Sequence, residues 1–266
     1  MKIREYLLGL MIDLQFFSTL PVHRSINMDR LSIRRAVMMF PFFGLILGVI
    51  NGLIFIILSE WTPLSPLALS FVIWILPILL TGGIHLDGWM DTSDAFFSYQ
   101  DKEKRLEIMK DPRAGAFAVI SVIVLLASRF LFIYESLVHT IFGMAVIIAI
   151  IPVFSRSVMG CLMVLSASAK EEGMAFYFKK HTEPRLLLSY LIPFLLMGLG
   201  LLMLLPELLV IFLSFITLTV MAGYWISRQT VKLFGGMTGD TLGASVEGVE
   251  VLLWMAVWLS AYIGMQ

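Results

Sequence analysis

Apolar residues run along this chain in blocks of about twenty, and polar residues gather in short clusters between them. A hydrocarbon core about 30 Å thick needs roughly 20 apolar residues per helix. Seven segments meet that length: 36–58, 66–83, 115–134, 141–165, 186–205, 207–227 and 246–264. The second is short and contains Pro77; only Pro206 and Glu207 separate the fifth from the sixth, which predicts a tight hairpin. Upstream, Ile3, Tyr6, Leu7, Leu10, Leu14 and Phe17 recur at helical spacing among Arg4, Glu5 and Asp13. No small-residue cleavage site follows in Phe17-Ser18-Thr19-Leu20-Pro21, so this segment reads as an amphipathic helix in the membrane interface. The pattern predicts an all-α polytopic membrane bundle of about seven transmembrane helices, with an N-terminal interfacial helix, in one domain over 1–266.

Composition sharpens this. With 59% hydrophobic and 14% charged residues, and a mean hydropathy of +0.92, a soluble fold could not cover the apolar surface. The lone Cys161 excludes a disulfide framework and a thiolate metal site. Net charge is formally zero, but its placement is uneven. Lys2, Arg4, Arg24, Arg30, Arg34 and Arg35 precede the first span, and Lys102, Lys104, Arg105, Lys110 and Arg113 lie between the second and third. Lys170, Lys179, Lys180 and Arg185 lie between the fourth and fifth, and Arg228 and Lys232 between the sixth and seventh. The alternate loops hold none; Arg129 and Arg156 fall within spans. The positive-inside rule then places the N-terminus in the cytoplasm. The expected setting is the cell (inner) membrane, with a lipid bilayer as partner and no nucleic acid; an oligomer is compatible with the sequence.

The polar clusters on that side carry the chemistry. In Thr81-Gly82-Gly83-Ile84-His85-Leu86-Asp87-Gly88-Trp89-Met90-Asp91-Thr92-Ser93-Asp94, a helix over 85–97 puts Asp87, Asp91 and Asp94 at i, i+4 and i+7, on one stripe. Hard oxygen ligands without a thiol favour magnesium or manganese; the plain alternative is a solvated acidic helix end. A second acidic patch, Gly235 to Glu247, offers Asp240 and Glu247 two turns apart. Helix capping accounts for Asp240 but not for Glu247, a carboxylate opening a membrane span. Lys110 and Arg113 stand before the third span, where helix amides also attract anions; a diphosphate clamp competes there with ordinary positive-inside charge. Arg156, about two turns inside its span, is placed to reach a phosphate, whereas Arg129 reads as structural. His85 is placed to hold the aspartates, accept a proton or cap the helix. Together these parts suggest substitution at a phosphoryl centre, with magnesium bridging a diphosphate and a carboxylate accepting a hydroxyl proton. Composition equally allows a divalent-cation transporter.

At these motifs the sequence resembles the cobalamin synthase (adenosylcobinamide-GDP ribazoletransferase) family. The matching blocks are Phe40-Pro41-Phe42-Phe43-Gly44, residues 81–94, residues 105–119 and residues 235–250. The resemblance implies attack of α-ribazole, or its 5′-phosphate, on adenosylcobinamide-GDP with release of GMP, and a magnesium requirement. By it, Asp87, Asp91 and Asp94 look like the metal site, Asp240 and Glu247 assist, and Asp94 is the general base. The logic is similar to that of CDP-alcohol phosphotransferases, whose aspartate spacing differs; one acting on lipid is the alternative from the same chemistry. Two positions depart from the family: Ala95 follows the third aspartate where many members have Gly, and Thr19 stands where many have Arg.

Overall fold

A computed structural model describes residues 3–139 and 142–263. Among these the chain is helical, without strands. An amphipathic helix α1 (Ile3–Phe17) leads to the long α2 (Arg30–Trp61), then α3 (Pro66–Thr81) and α4 (Ile84–Phe97). Two short helices, α5 (Lys102–Ile108) and α8 (Gly173–Lys180), flank the apolar hairpin of α6 (Ala116–His139) and α7 (Met144–Leu165). A 3₁₀ segment (Pro184–Tyr190) runs into α9 (Leu191–Leu204), a 3₁₀ turn (Pro206–Leu208) into α10 (Leu209–Phe234), and α11 (Gly239–Ile263) closes the bundle.

Six of these stretches are long and apolar enough to cross a membrane, or seven if the bent α3–α4 pair counts as one span. A helix stands at the place of each predicted span, with changed limits. Residue 264 of the last predicted segment and residue 141 of the fourth lie outside the described residues. The hydrophobic run of 246–264 had hidden the true start of α11 at Gly239. There the Thr238 hydroxyl accepts from the Thr241 amide (3.2 Å) and the Thr241 hydroxyl from the Thr238 amide (2.8 Å). This reciprocal cap starts the helix seven residues early and leaves Asp240 in its first turn rather than at its cap. Leu195, Leu196, Leu199 and Leu202 of α9 and Val220, Met221 and Trp225 of α10 stay exposed, as expected for helices whose outer solvent is lipid.

At the centre lies α7, packed on α2. Gly44, Gly48 and Gly52, one turn apart on α2, lie directly against Pro152, Ala149 and Ala145 of α7. Small residues let the two backbones touch, which is how helices associate where burial from water offers no drive. The α3–α4 corner has a different cause. Gly82 (φ 63°) and Gly83 (φ 75°) both adopt left-handed backbone, and the chain turns by 89°. At 1.5 Å per residue α3 is only about 24 Å long, so α4 runs across the end of the bundle and not through it. The corner is held by Thr19, whose amide and hydroxyl donate to the carbonyls of Leu80 (2.8 Å) and Leu79 (2.9 Å). At the position where a positive charge was expected, Thr19 thus caps α3.

The periodicity of 3–17 forms a helix as expected, and the structure adds which side of it packs on the bundle. Leu7 is exposed, whereas Ile12 and Asp13 are completely buried against the bundle, and Glu5 pairs with Arg35 of α2 (2.7 Å). Gly9 allows this dock, its Cα lying on the Arg35–Ala36 backbone. Both oxygens of Asp13 lack a hydrogen-bond partner, and burial raises its pKa well above the usual carboxylate range. The folded protein therefore holds a proton that the unfolded chain releases above about pH 4. Stability should fall as pH rises from there toward the folded pKa. Melting curves of the detergent-solubilised protein between pH 4 and 7 should show this slope, and Asp13→Asn should flatten it.

Candidate active site at the basic end of the bundle

The 89° corner lays α4 against the first turns of α11 and the mouth of α6. Contact with α11 is intimate: a Cβ on Gly88 would stand 2.6 Å from the Asp240 carbonyl oxygen, and one on Gly243 would stand 3.3 Å from the His85 Cα. Glycine at both positions brings Asp240 alongside the aspartate stripe. Asp87, Asp94 and Asp240 are all electrostatic neighbours of the Asp91 carboxyl. The Asp94 carboxylate itself covers Gly115, just before α6, leaving no room there for a side chain. Four carboxyl groups from two distant segments thus share one site. No Lys or Arg pairs directly with any of them among the described ion pairs. Like charges held together in this way favour a bound cation, and the all-oxygen donor set suits a hard divalent one. Among the described residues no three of these groups close on one point in metal-binding geometry; the donor chemistry fits, while convergence requires the side chains to turn inward.

Glu247 does not join them. Two turns along α11 from Asp240, it lies about 10 Å deeper, where Arg129 needs a counter-ion. Glu247 and Arg129 are both buried and pair at 2.8 Å. Arg156 is likewise withdrawn from the phosphate role expected of it. Its guanidinium is buried and pairs with Glu250, which also accepts from Ser155 (3.1 Å) and pairs with Arg129 (3.2 Å). An unpaired charge in the interior of a membrane bundle is costly, so the two arginines and two glutamates of α6, α7 and α11 neutralise one another. The structural reading of Arg129 agrees with this geometry. Glu250 was overlooked, although the residues needing a counter-ion, Arg129 and Arg156, were both apparent as intramembrane cations.

His85 is buried at the start of α4, with its ring stacked on Phe17 (centroids 6.3 Å apart, 17° between planes). Its Nε2 has no partner, and no described hydrogen bond joins it to a carboxylate. His85, Asp87 and Asp240 are among the residues around a cavity of about 270 Å³.

Lys110 and Arg113 are exposed and engaged with Glu172 (2.9 Å) and Asp111 (2.7 Å). The Asp111 carboxyl is drawn down to about 2, first by its side-chain hydrogen bond from Arg113. Exposed pairs of this kind are screened by water, contribute little and exchange readily for a stronger anion. A third cation, Lys170, stands nearer the acids. Burial and the neighbouring Lys110 lower its pKa, while Asp240 and Glu172 oppose the shift. Backbone pairing of the 167–169 segment with Met237 places it there (Met237 amide to Ala167 carbonyl 2.7 Å, Ala169 amide to Met237 carbonyl 3.0 Å). No sequence pattern marks Lys170 out from other loop lysines.

Comparison with known proteins identifies the family. The model of the cobalamin-5-phosphate synthase family matches residues 9–258. The chain belongs to that family. Curated members named adenosylcobinamide-GDP ribazoletransferase include one from Geobacillus sp. (strain WCH70), 40% identical over 94% of this chain and 95% of its own length. Others come from Clostridium tetani (32% identical, 97% and 99% covered) and Escherichia coli (32% identical, 92% and 96% covered). No solved structure is significantly similar to the chain. In a member of the cobalamin-5-phosphate synthase family, the four-aspartate site at the basic end is the candidate active site.

Proposed function

We propose that this chain transfers the adenosylcobinamide-phosphate group from adenosylcobinamide-GDP to a ribose hydroxyl of α-ribazole or its 5′-phosphate, releasing GMP. The reading places the reaction on the cytoplasmic side, since the acids lie at the end of the bundle that carries the basic loops. The observation that carries it is the packing of Asp240 against the Asp87–Asp91–Asp94 stripe, within a member of this family. Asp87, Asp91 and Asp240 would hold Mg²⁺, with Asp94 beside them. When bound, the ion supplies charge neutralisation for the diphosphate and the departing GMP. Asp94, at the mouth of α6, accepts the proton of the attacking hydroxyl. Lys170, Lys110 and Arg113 neutralise the phosphate oxygens from the opposite side, the latter two by leaving Glu172 and Asp111. His85, buried and stacked on Phe17, takes no part in proton transfer or metal binding in this scheme.

A divalent-cation transporter would need carboxylates continuing inward from this site. The next acids inward, Glu247 and Glu250, are already neutralised by Arg129 and Arg156, which disfavours that reading. A lipid CDP-alcohol phosphotransferase would turn over a CDP-lipid instead. The test is purified full-length protein in detergent with adenosylcobinamide-GDP, α-ribazole and magnesium, followed for GMP release. Release should be abolished by EDTA and restored by added magnesium. Release that persists in EDTA would remove the metal from the scheme, and no release with either acceptor would overturn the reaction.

A further inference from the structure

Glycine stands at position 115 without a backbone reason for it. The chain there is about to enter α6, and its φ is not left-handed, unlike those of Gly82 and Gly83. A residue with a side chain would fit that backbone, and alanine would restrict the unfolded chain more. What forbids one is a neighbour. The three atoms nearest to a Cβ built on Gly115 are the carboxyl carbon and both oxygens of Asp94, all close enough to overlap with it. Gly88 differs in kind, since a Cβ there would meet the backbone carbonyl of Asp240. Gly88 makes room for a helix. Gly115 makes room for one carboxylate.

That carboxylate is placed by shape. Among the described contacts no hydrogen bond and no ion pair fixes it, although Asp94 is half-buried. Asp94 follows Asp91 by one turn of α4, yet it is the weakest of the three carboxyl neighbours of Asp91, behind Asp87 and Asp240. Leaning onto Gly115 accounts for this, because it turns the group to the mouth of α6 and away from the other acids. We propose that Gly115 is a positioning residue for the transfer: it is the seat that keeps the Asp94 carboxylate apart from Asp87, Asp91 and Asp240, free to act as base when those three hold the cation. The proposal rests on the transferase reading above and assigns how one of four like groups is given a separate task. In that step the hydroxyl oxygen bonds to phosphorus, its proton passes to Asp94, and the bond to the GMP oxygen breaks.

The experiment uses the full-length protein and reads GMP release and magnesium-induced stabilisation together. In Gly115→Ala the Asp94 side chain can leave its seat by rotating, without backbone movement. The metal-free protein should therefore melt within about 3 °C of wild type. A displaced base is costly to the reaction, and kcat should fall roughly 100-fold. The KM for donor and acceptor should stay within about three-fold. The magnesium concentration that half-stabilises the protein should also change by less than about three-fold, since the other three acids keep their places. A wild-type kcat in Gly115→Ala overturns the proposal. Loss of the magnesium effect overturns it too, by giving Gly115 a part in the metal site instead.

The double variant Gly115→Ala with Asp94→Asn separates positioning from general damage. Once the base is gone its seat has nothing left to hold, so the double variant should be at most about two-fold slower than Asp94→Asn alone. Losses that multiply would give Gly115 a role independent of Asp94 and end the proposal. So would Asp94→Asn with a wild-type kcat. Wild-type protein that is stabilised by magnesium but releases no GMP would defeat the transferase reading itself, and this inference with it. The two failures are distinguishable, because only the second shows in the unaltered protein.

Discussion

Replacing Asp87 or Asp91 by Asn should lower magnesium-dependent GMP release by about 10³-fold or more. Asn keeps the shape of the side chain and removes the charge that a hard cation needs. The same substitution has an opposite effect on the empty site. Asp91 lies among three other carboxyl groups, so neutralising it relieves repulsion and should leave the metal-free protein at least as stable as wild type. Magnesium should raise the melting temperature of wild type by mass action and fail to raise that of either variant. Asp94→Asn provides the contrast. As the proton acceptor it should lose kcat while retaining the magnesium-induced stabilisation. Full activity in Asp87→Asn and Asp91→Asn would remove the site; loss of activity through misfolding would show as a lower melting temperature without the ion.

Replacing Glu250 by Ala should destabilise the bundle more than any change at the acid site, by about 3–5 kcal/mol. The deep network is charge-balanced: Arg129 and Arg156 against Glu247 and Glu250. Removing Glu250 leaves two buried guanidiniums facing one carboxylate, and takes away one of the two acceptors of the Ser155 hydroxyl. The decisive comparison is the double variant Glu250→Leu with Arg156→Met. It removes one charge of each sign and leaves the Arg129–Glu247 pair intact at 2.8 Å. Apolar residues of similar size often replace a buried ion pair at little cost. The double variant should therefore melt higher than Glu250→Ala, although it carries more changes. If Glu250→Ala melted like wild type, the network would have no part in stability.

Much of this was legible along the chain because lipid imposes simple rules. Spans must be long and apolar, and basic residues mark one side, so the apolar helices and the common side of both acidic clusters could be read without coordinates. The aspartate stripe was legible for a similar reason: three residues at i, i+4 and i+7 share a face wherever the helix lies. The end-on placement of α4 was not, because a hydropathy window sees Thr81-Gly82-Gly83 as the end of a span and not as an 89° corner. Nor was the buried face of α1. Its apolar residues are divided between lipid and protein, two surroundings that hydrophobicity alone does not separate, and Asp13 ended inside.

Glu247 and Arg156 show the boundary most clearly. Their residue types and positions announced that each needed a partner of opposite charge, because an ionised group within the bilayer cannot remain alone. That need is a property of the chain. Which partner satisfies it depends on where α6, α7 and α11 cross, and that follows from side-chain packing between residues 118 and 94 positions apart. The same packing, through Gly88 against Asp240, chose four aspartates for the outer site and kept both glutamates for the inner one.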